Sequence, residues 1–267
     1  MELDKHTCNE AYLQYYNLAP AGLGATKAAL SKLLRSIDLV GWSTHEETGR
    51  VDRRALTRFA TGSTAVFSRR AHVEAETSAV SVLIDCSGSM AGQLIQTAAE
   101  VTIQLSRLLD QAKVPFKVTG FSGGGSATRM DGSGANEKDT YVRTERVNFF
   151  PFKTWAEPMR KASTKLGAIR FCAGSSTPDF SALSLTIDDI AAQPQTRKII
   201  FLLTDADGYS AEQMEFLQSR AERAGVIIIA VGIGTTAVKM FKHHATVNKV
   251  EDLGSKAFGS LLKTVRK

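Results

Sequence analysis

Apolar and polar positions fall into two alternating rhythms from about residue 77 onward. Residues 80–85 run Val-Ser-Val-Leu-Ile-Asp, nearly continuous in apolar and β-branched side chains, which predicts a buried strand ending in a carboxylate. Residues 93–113 carry Leu94, Ala98, Val101, Leu105 and Leu108 at steps of four and three, the stripe of an amphipathic helix. Residues 115–121 predict a second strand, and 122–139 a glycine-rich polar loop too poor in apolar side chains to pack. Residues 140–149 alternate like an edge strand, and 153–165 read as a helix. A further helix over 178–192 has Thr177 as its expected N-cap and Pro178 at its first position. Residues 198–205 and 225–232 are the strongest buried strands, with a helix over 210–223 between them. A short helix at 238–243 and a last one at 252–265 complete the pattern. Strands alternating with helices, the main strands apolar throughout, predict an α/β chain. Its expected form is Rossmann-like: a doubly wound, mostly parallel sheet flanked by helices.

Residues 1–76 have a different texture and read as an extension, with the main domain at 77–267. Leu30, Leu33, Leu34 and Ile37 share a helical spacing; residues 47–50 form a turn. Asp52 can cap a short helix over 53–59, and 65–69 fit a strand. With few large apolar residues it would make a poor core alone, so this extension is expected to pack on the main domain.

Composition narrows the possibilities modestly. The 267 residues are 43% hydrophobic and 22% charged, ordinary for a globular chain, and the net charge of +6 is too scattered to call for nucleic acid. Cys8, Cys86 and Cys172 are far apart and odd in number, with no C-x-x-C; this fits neither a disulfide framework nor a zinc knuckle and favours a reducing compartment. No apolar run is long enough for a membrane span and the N-terminus lacks a signal layout, so the expected location is the cytoplasm, away from membranes.

The candidate chemistry lies at the strand ends. Asp85, Ser87 and Ser89 place three oxygen-bearing side chains on one turn, which suits a hard divalent cation such as Mg²⁺. A second strand ends at Asp205, and Thr177 closes a Gly-Ser-Ser-Thr segment before a helix. In a doubly wound sheet these loops can share the carboxyl edge, where ligands bind. The plainer reading of each is local: Ser and Asp favour helix starts, Asp179 and Asp207 suit a helix start and a turn, and Cys86 suits a packed core.

Asp85-x-Ser87-x-Ser89, then Thr177, then Thr204-Asp205, resembles the metal-ion-dependent adhesion site of the von Willebrand factor A (VWA) domain. The resemblance implies that Ser87, Ser89 and Thr177 coordinate Mg²⁺, with Mn²⁺ or Ca²⁺ as alternatives, while Asp85 and Asp205 act mostly through water. It also implies a vacant place on the ion for a partner protein's Glu or Asp. The segments at 49–52, 80–92, 195–200 and 230–234 further resemble CobT-like subunits of aerobic cobaltochelatase, although the highly acidic region of those proteins is absent and Ala206 stands where Gly is usual. That resemblance implies a non-catalytic protein-interaction module working beside a MoxR-class AAA+ ATPase, or alternatively a subunit of a cobaltochelatase complex that inserts cobalt into a corrin precursor.

Rival readings are weaker. Gly120-Phe-Ser122-Gly-Gly124 fits G-x-S-x-G after a strand, and Asp205 with His243 or His244 follow in the order of a hydrolase triad, but the motif enters a loop instead of a helix. Gly22 to Lys27 lacks the spacing of a phosphate loop. Adjacent His243 and His244 are expected to be surface residues and not a metal pair.

Overall fold

The computed structural model describes residues 4–17, 28, 30, 42–46, 48–51, 63–70, 78–123, 147–206, 210–248 and 252. The chain divides into two compact units: Met1–Leu33 together with Ser78–Lys267, and Leu34–Thr77. The N-terminal helix α1 (Lys5–Asn17) thus belongs to the larger unit. The smaller unit holds β1 (Trp42–Glu46), β2 (Arg50–Val51) and β3 (Phe67–Arg70), paired antiparallel with β3 in the middle. Gly49, at φ 137°, makes the turn expected at 47–50. Most of the expected helices at 25–37 and 252–265, the helix at 53–59, the segment Gly22–Lys27, the loop beyond Gly123 and Asp207 lie outside the described residues.

The larger unit is built on β4 (Ser78–Asp85), all eight of whose residues are buried. It is followed by α2 (Gln93–Gln111), β5 (Phe116–Gly123), β6 (Val147–Lys153), α3 (Met159–Gly167), α4 (Asp179–Ala191), β7 (Arg197–Thr204), α5 (Ala211–Arg223), β8 (Val226–Ile233) and β9 (His243–Val247). The six strands are ordered β6-β5-β4-β7-β8-β9, parallel except for β6 at one edge. This is the doubly wound, mostly parallel sheet expected from the pattern. The chain leaves β4 toward β5 on one side and returns to β7 on the other. The carboxyl end of β4 is therefore the topological switch point, where such sheets hold ligands.

Helices cover both faces of the central strands β4, β7 and β8. Helices α4 and α5 cover the face bearing Leu83, Phe121, Ile200, Leu202, Ile228 and Ala230, all buried in one cluster with Leu183, Ile187, Met214 and Leu217. Val80, Val82 and Ile84 point the other way and are equally buried, which assigns the α1–α2–α3 layer to that face. Helix α1 is held there by polar and apolar contacts together. Gln104 and Arg107 of α2 donate to the carbonyls of Tyr15 and Tyr16, and the Arg107 guanidinium lies 4.6 Å from the Tyr16 ring centre.

Three elements differ from expectation. Of the strand expected at 140–149, residues 140–146 lie outside the described residues, and the described part, β6 (Val147–Lys153), runs on past 149; its aromatic run Phe149-Phe150-Pro151-Phe152 favours a strand, and Pro151 is tolerated because the strand is an edge. That displaces the helix expected at 153–165, which begins instead at Met159, behind Pro158 as N-cap. The helix expected at 238–243 is a 3₁₀ turn, Ala237–Met240, followed by β9. The alternating segment His-His-Ala-Thr-Val pairs with β8, so the ladder outweighs the short helical spacing.

Gly167 tests how α1 is docked, because a methyl group there would run into the Cys8 carbonyl. Gly167→Ala is expected to cost about 1–3 kcal/mol and to raise amide exchange across α1 while leaving β4 and β7 protected. Unchanged exchange in α1 would show that the close approach is dispensable.

Candidate metal centre

The ladder of β4 runs on past the strand through a bond from the Cys86 amide to the Phe121 carbonyl, 2.8 Å. This holds Asp85, wholly buried, at the strand tip. One carboxylate oxygen accepts the Ser87 amide at 2.9 Å and the other accepts the Thr204 hydroxyl at 2.9 Å. Register explains the second contact: Ile84 pairs with Leu203, so Asp85 and Thr204 end neighbouring strands. The Thr204 oxygen also accepts the Ala206 amide at 2.9 Å, which commits its own proton to Asp85. Ala206 sits at φ 59°, a left-handed conformation that favours Gly, the residue the family resemblance leads one to expect there.

Beyond Ser87 a 3₁₀ turn, Gly88–Met90, closed by the Met90 amide on the Ser87 carbonyl, brings Ser89 round to the same side. The Ser87 and Ser89 hydroxyl oxygens are 3.0 Å apart. Ser87 is buried and Ser89 exposed, so the pair forms the mouth of the site with Asp85 beneath.

Three backbone hydrogen bonds fasten the loop before α4 to this edge. The Gly174 amide donates to the Cys86 carbonyl (2.9 Å), the Gly88 amide to the Ser175 carbonyl (2.9 Å), and the Gly123 amide to the Ser176 carbonyl (2.7 Å). Side chains are excluded where the loops meet: a Cβ on Gly88 would lie 3.3 Å from the Ser175 oxygen, and one on Gly123 would collide with the Ser176 side chain. Thr177, half-buried, is thereby carried to the tips of β4 and β5. It is not the helix cap expected of it. Pro178 is the N-cap residue, the helix start has no side-chain cap from it, and the Phe180 amide is taken by Asp179 instead. Asp179 stands in the first turn of α4 and accepts the Phe180 amide at 2.7 Å, the helix-start role expected of it.

Burial pushes the Asp85 carboxyl above its ordinary pKa; the bonds from Ser87 and Thr204 pull it down, and the charge of Asp205 pushes it up again. Asp205 is thus close enough for its charge to be felt. Among the described residues no cationic side chain pairs with Asp85. A buried carboxylate in this position is costly unless a positive charge offsets it.

The donor set fits a hard divalent cation. Ligands at right angles on an ion with bonds of 2.0–2.1 Å lie about 2.9 Å apart, which is close to the separation of the two serine hydroxyls. Among the described residues no three His, Cys, Asp or Glu side chains cluster to hold a metal, so a site here has to draw on hydroxyls.

The structure joins Ser87, Ser89, Asp85 and Thr204 by direct contact and Asp205 through its charge, and it ties the residues just before Thr177, 174–176, to the same edge. Sequence reasoning gave Thr204 no role; its place before a strand-tip Asp was the available signal. Ser122 lies inside β5, buried and paired with Asn148, not on a strand-to-helix elbow. His243 and His244 are neighbours in a strand and face opposite ways; His244 is hydrogen-bonded to the Phe241 carbonyl at 2.8 Å. The cysteines are unpaired thiols, and no described helix is long and apolar enough to cross a membrane.

A family model described as the cobalamin biosynthesis protein CobT VWA domain matches residues 66–265. Among solved structures, the chain is similar to proximal thread matrix protein 1 of the mussel byssus, with 15% identity, TM-score 0.49 and coverage of 71% of this chain and 47% of that one. It is also similar to a von Willebrand factor type A protein from Catenulispora acidiphila (16%, TM-score 0.42, 71% and 43%). A third is the manganese-loaded TRAP protein of Plasmodium vivax (14%, TM-score 0.47, 68% and 73%). The chain spans less than half the length of the first two.

Thr204→Val keeps the shape of the side chain and removes both its hydrogen bonds. Divalent-cation affinity measured by calorimetric titration is expected to fall about 10- to 100-fold. An unchanged affinity would mean that Thr204 does not orient Asp85 for this purpose.

Proposed function

The chain belongs to the CobT VWA-domain family, and on that premise we propose that it is a metal-dependent docking module that captures an acidic residue of a partner protein. In this reading Ser87, Ser89 and Thr177 give their hydroxyl oxygens to the ion, and Asp85 and Asp205 stand behind them, acting through water. The ion is Mg²⁺, with Mn²⁺ or Ca²⁺ able to replace it, because every donor is a hard oxygen. The observation that carries the proposal is the pair of hydroxyls 3.0 Å apart above a buried carboxylate that no described cationic side chain pairs with.

The chemistry favours capture over catalysis. Neutral hydroxyls and water leave the cation's charge only partly offset by carboxylates one layer out. An incoming Glu or Asp then gains strongly by replacing the last water, while the groups behind fix the hydroxyls in place. Among the described residues no positioned nucleophile or general base accompanies the cluster, so the chain is read as a non-enzyme by itself.

The partner proposed is a MoxR-class AAA+ ATPase in the cytoplasm, presenting an exposed Glu or Asp to the ion. The family's place in cobalamin biosynthesis favours a second reading, in which the same surface docks the chain into a cobaltochelatase complex. Metal-mediated docking is common to both.

Cation at about 100 times its dissociation constant is expected to raise the melting temperature by roughly 5–10 °C. Ser89→Ala, at an exposed position, is expected to melt normally without cation and to lose that rise. In parallel, the wild-type chain should retain a purified MoxR-class ATPase in Mg²⁺ and release it in EDTA. Equal retention in EDTA would overturn metal-mediated docking, and a full cation response in Ser89→Ala would overturn the ligand set.

A further inference from the structure

Helix α4 packs on β4 and β7, and α5 packs on β8. Beside α4, over β5 and the edge strand β6, the same face of the sheet opens into a groove of about 370 Å³. Its floor is set by register: Ser81 lies beside Lys117, and Thr119 lies opposite Pro151, all on the side-chain face that also carries Leu83 and Phe121. Its walls are apolar and open to solvent, with Phe149 37% and Leu185 52% exposed.

The polar groups of the groove can be accounted for one by one. The Lys117 ammonium is 3.1 Å from an Asp189 carboxylate oxygen, and the Trp155 ring N–H donates to the same oxygen at 3.2 Å. The Thr186 hydroxyl donates to the Ala182 carbonyl at 2.8 Å. Two groups remain. Ser81 and Thr119 line the groove and are 1% and 6% exposed; their hydroxyls lie just beneath its surface and have no hydrogen-bond partner among the described residues. Ser81 also interrupts the central strand, between Val80 and Val82, where every other position from Ala79 to Ile84 is apolar. A polar residue that breaks a core pattern and finds no partner in the fold marks a place where function overrides packing.

We propose that this groove binds a small uncharged molecule with a flat apolar ring system and a hydroxyl or carbonyl on one edge. The rings lie between Phe149 and Leu185, and the polar edge reaches the Ser81 and Thr119 hydroxyls, each of which can donate or accept. The ligand is uncharged because the charged groups described in the wall, Lys117 and Asp189, already neutralise each other, and a buried ionic ligand would have to break that pair. The volume is within the range of small-molecule sites, which join apolar walls to a few convergent polar groups. The proposal is independent of the metal centre and of its partner.

The test uses 2-naphthol as probe and naphthalene, which lacks the hydroxyl, as control, titrated into the full chain carrying ¹³C-labelled methyl groups. 2-Naphthol is expected to shift the Leu185 and Thr119 methyl resonances and to bind about two- to tenfold more tightly than naphthalene. In the double variant Ser81→Ala, Thr119→Val that preference should vanish while naphthalene affinity stays unchanged, with the ¹⁵N spectrum confirming the fold. The proposal is overturned if the groove methyls do not move up to the solubility limit of 2-naphthol. It is equally overturned if the preference survives in the double variant.

Discussion

A carboxylate that no described cationic side chain pairs with, closed off from water at the tip of the central strand, is the constraint that shapes the rest of the site. Asp85 cannot be stabilised by solvent, and its two protein hydrogen bonds come from an amide and a hydroxyl, neither of them charged. Those bonds satisfy geometry but leave the charge in place, with Asp205 adding a second negative charge nearby. A divalent cation above the carboxylate resolves the conflict, and the hydroxyls of Ser87 and Ser89 are spaced to receive one.

The fold places this conflict at the carboxyl edge of the sheet, beneath the exposed Ser89. Because the chain departs from β4 toward β5 and comes back to β7, the strand tips on either side of Asp85 belong to distant parts of the sequence. Amide-to-carbonyl bonds then sew the loop before α4 onto the tips of β4 and β5, through glycines that let the backbones touch. The positions of Ser87 and Thr204 come from register and turn geometry, and three backbone bonds hold the segment 174–176 that leads to Thr177. Such preorganisation suits the docking role proposed for the chain.

Much of this was legible in the sequence, for identifiable reasons. The buried parallel strands showed as unbroken apolar runs, since both of their faces are covered, and the carboxylate at the end of 80–85 stood out against that background. The hydroxyls of Ser87 and Ser89 could be paired because only a tight turn separates them. What stayed hidden depends on contacts distant in sequence. The orienting role of Thr204 needs the pairing of β4 with β7. The release of Thr177 from capping comes from Pro178 being the cap residue itself. The C-terminal end of β6 was placed short and β9 was missed, because the stability of edge strands lies in a ladder with one neighbour, which local periodicity does not report.

The most direct measurement is a crystal structure of the chain soaked in Mn²⁺, with the ion located by its anomalous scattering. The account predicts one strong peak at the carboxyl edge of the sheet, within bonding distance of the Ser87, Ser89 and Thr177 hydroxyl oxygens, with Asp85 and Asp205 reached through water. Manganese bound elsewhere, or at that edge with the three hydroxyls turned away from it, would contradict the account.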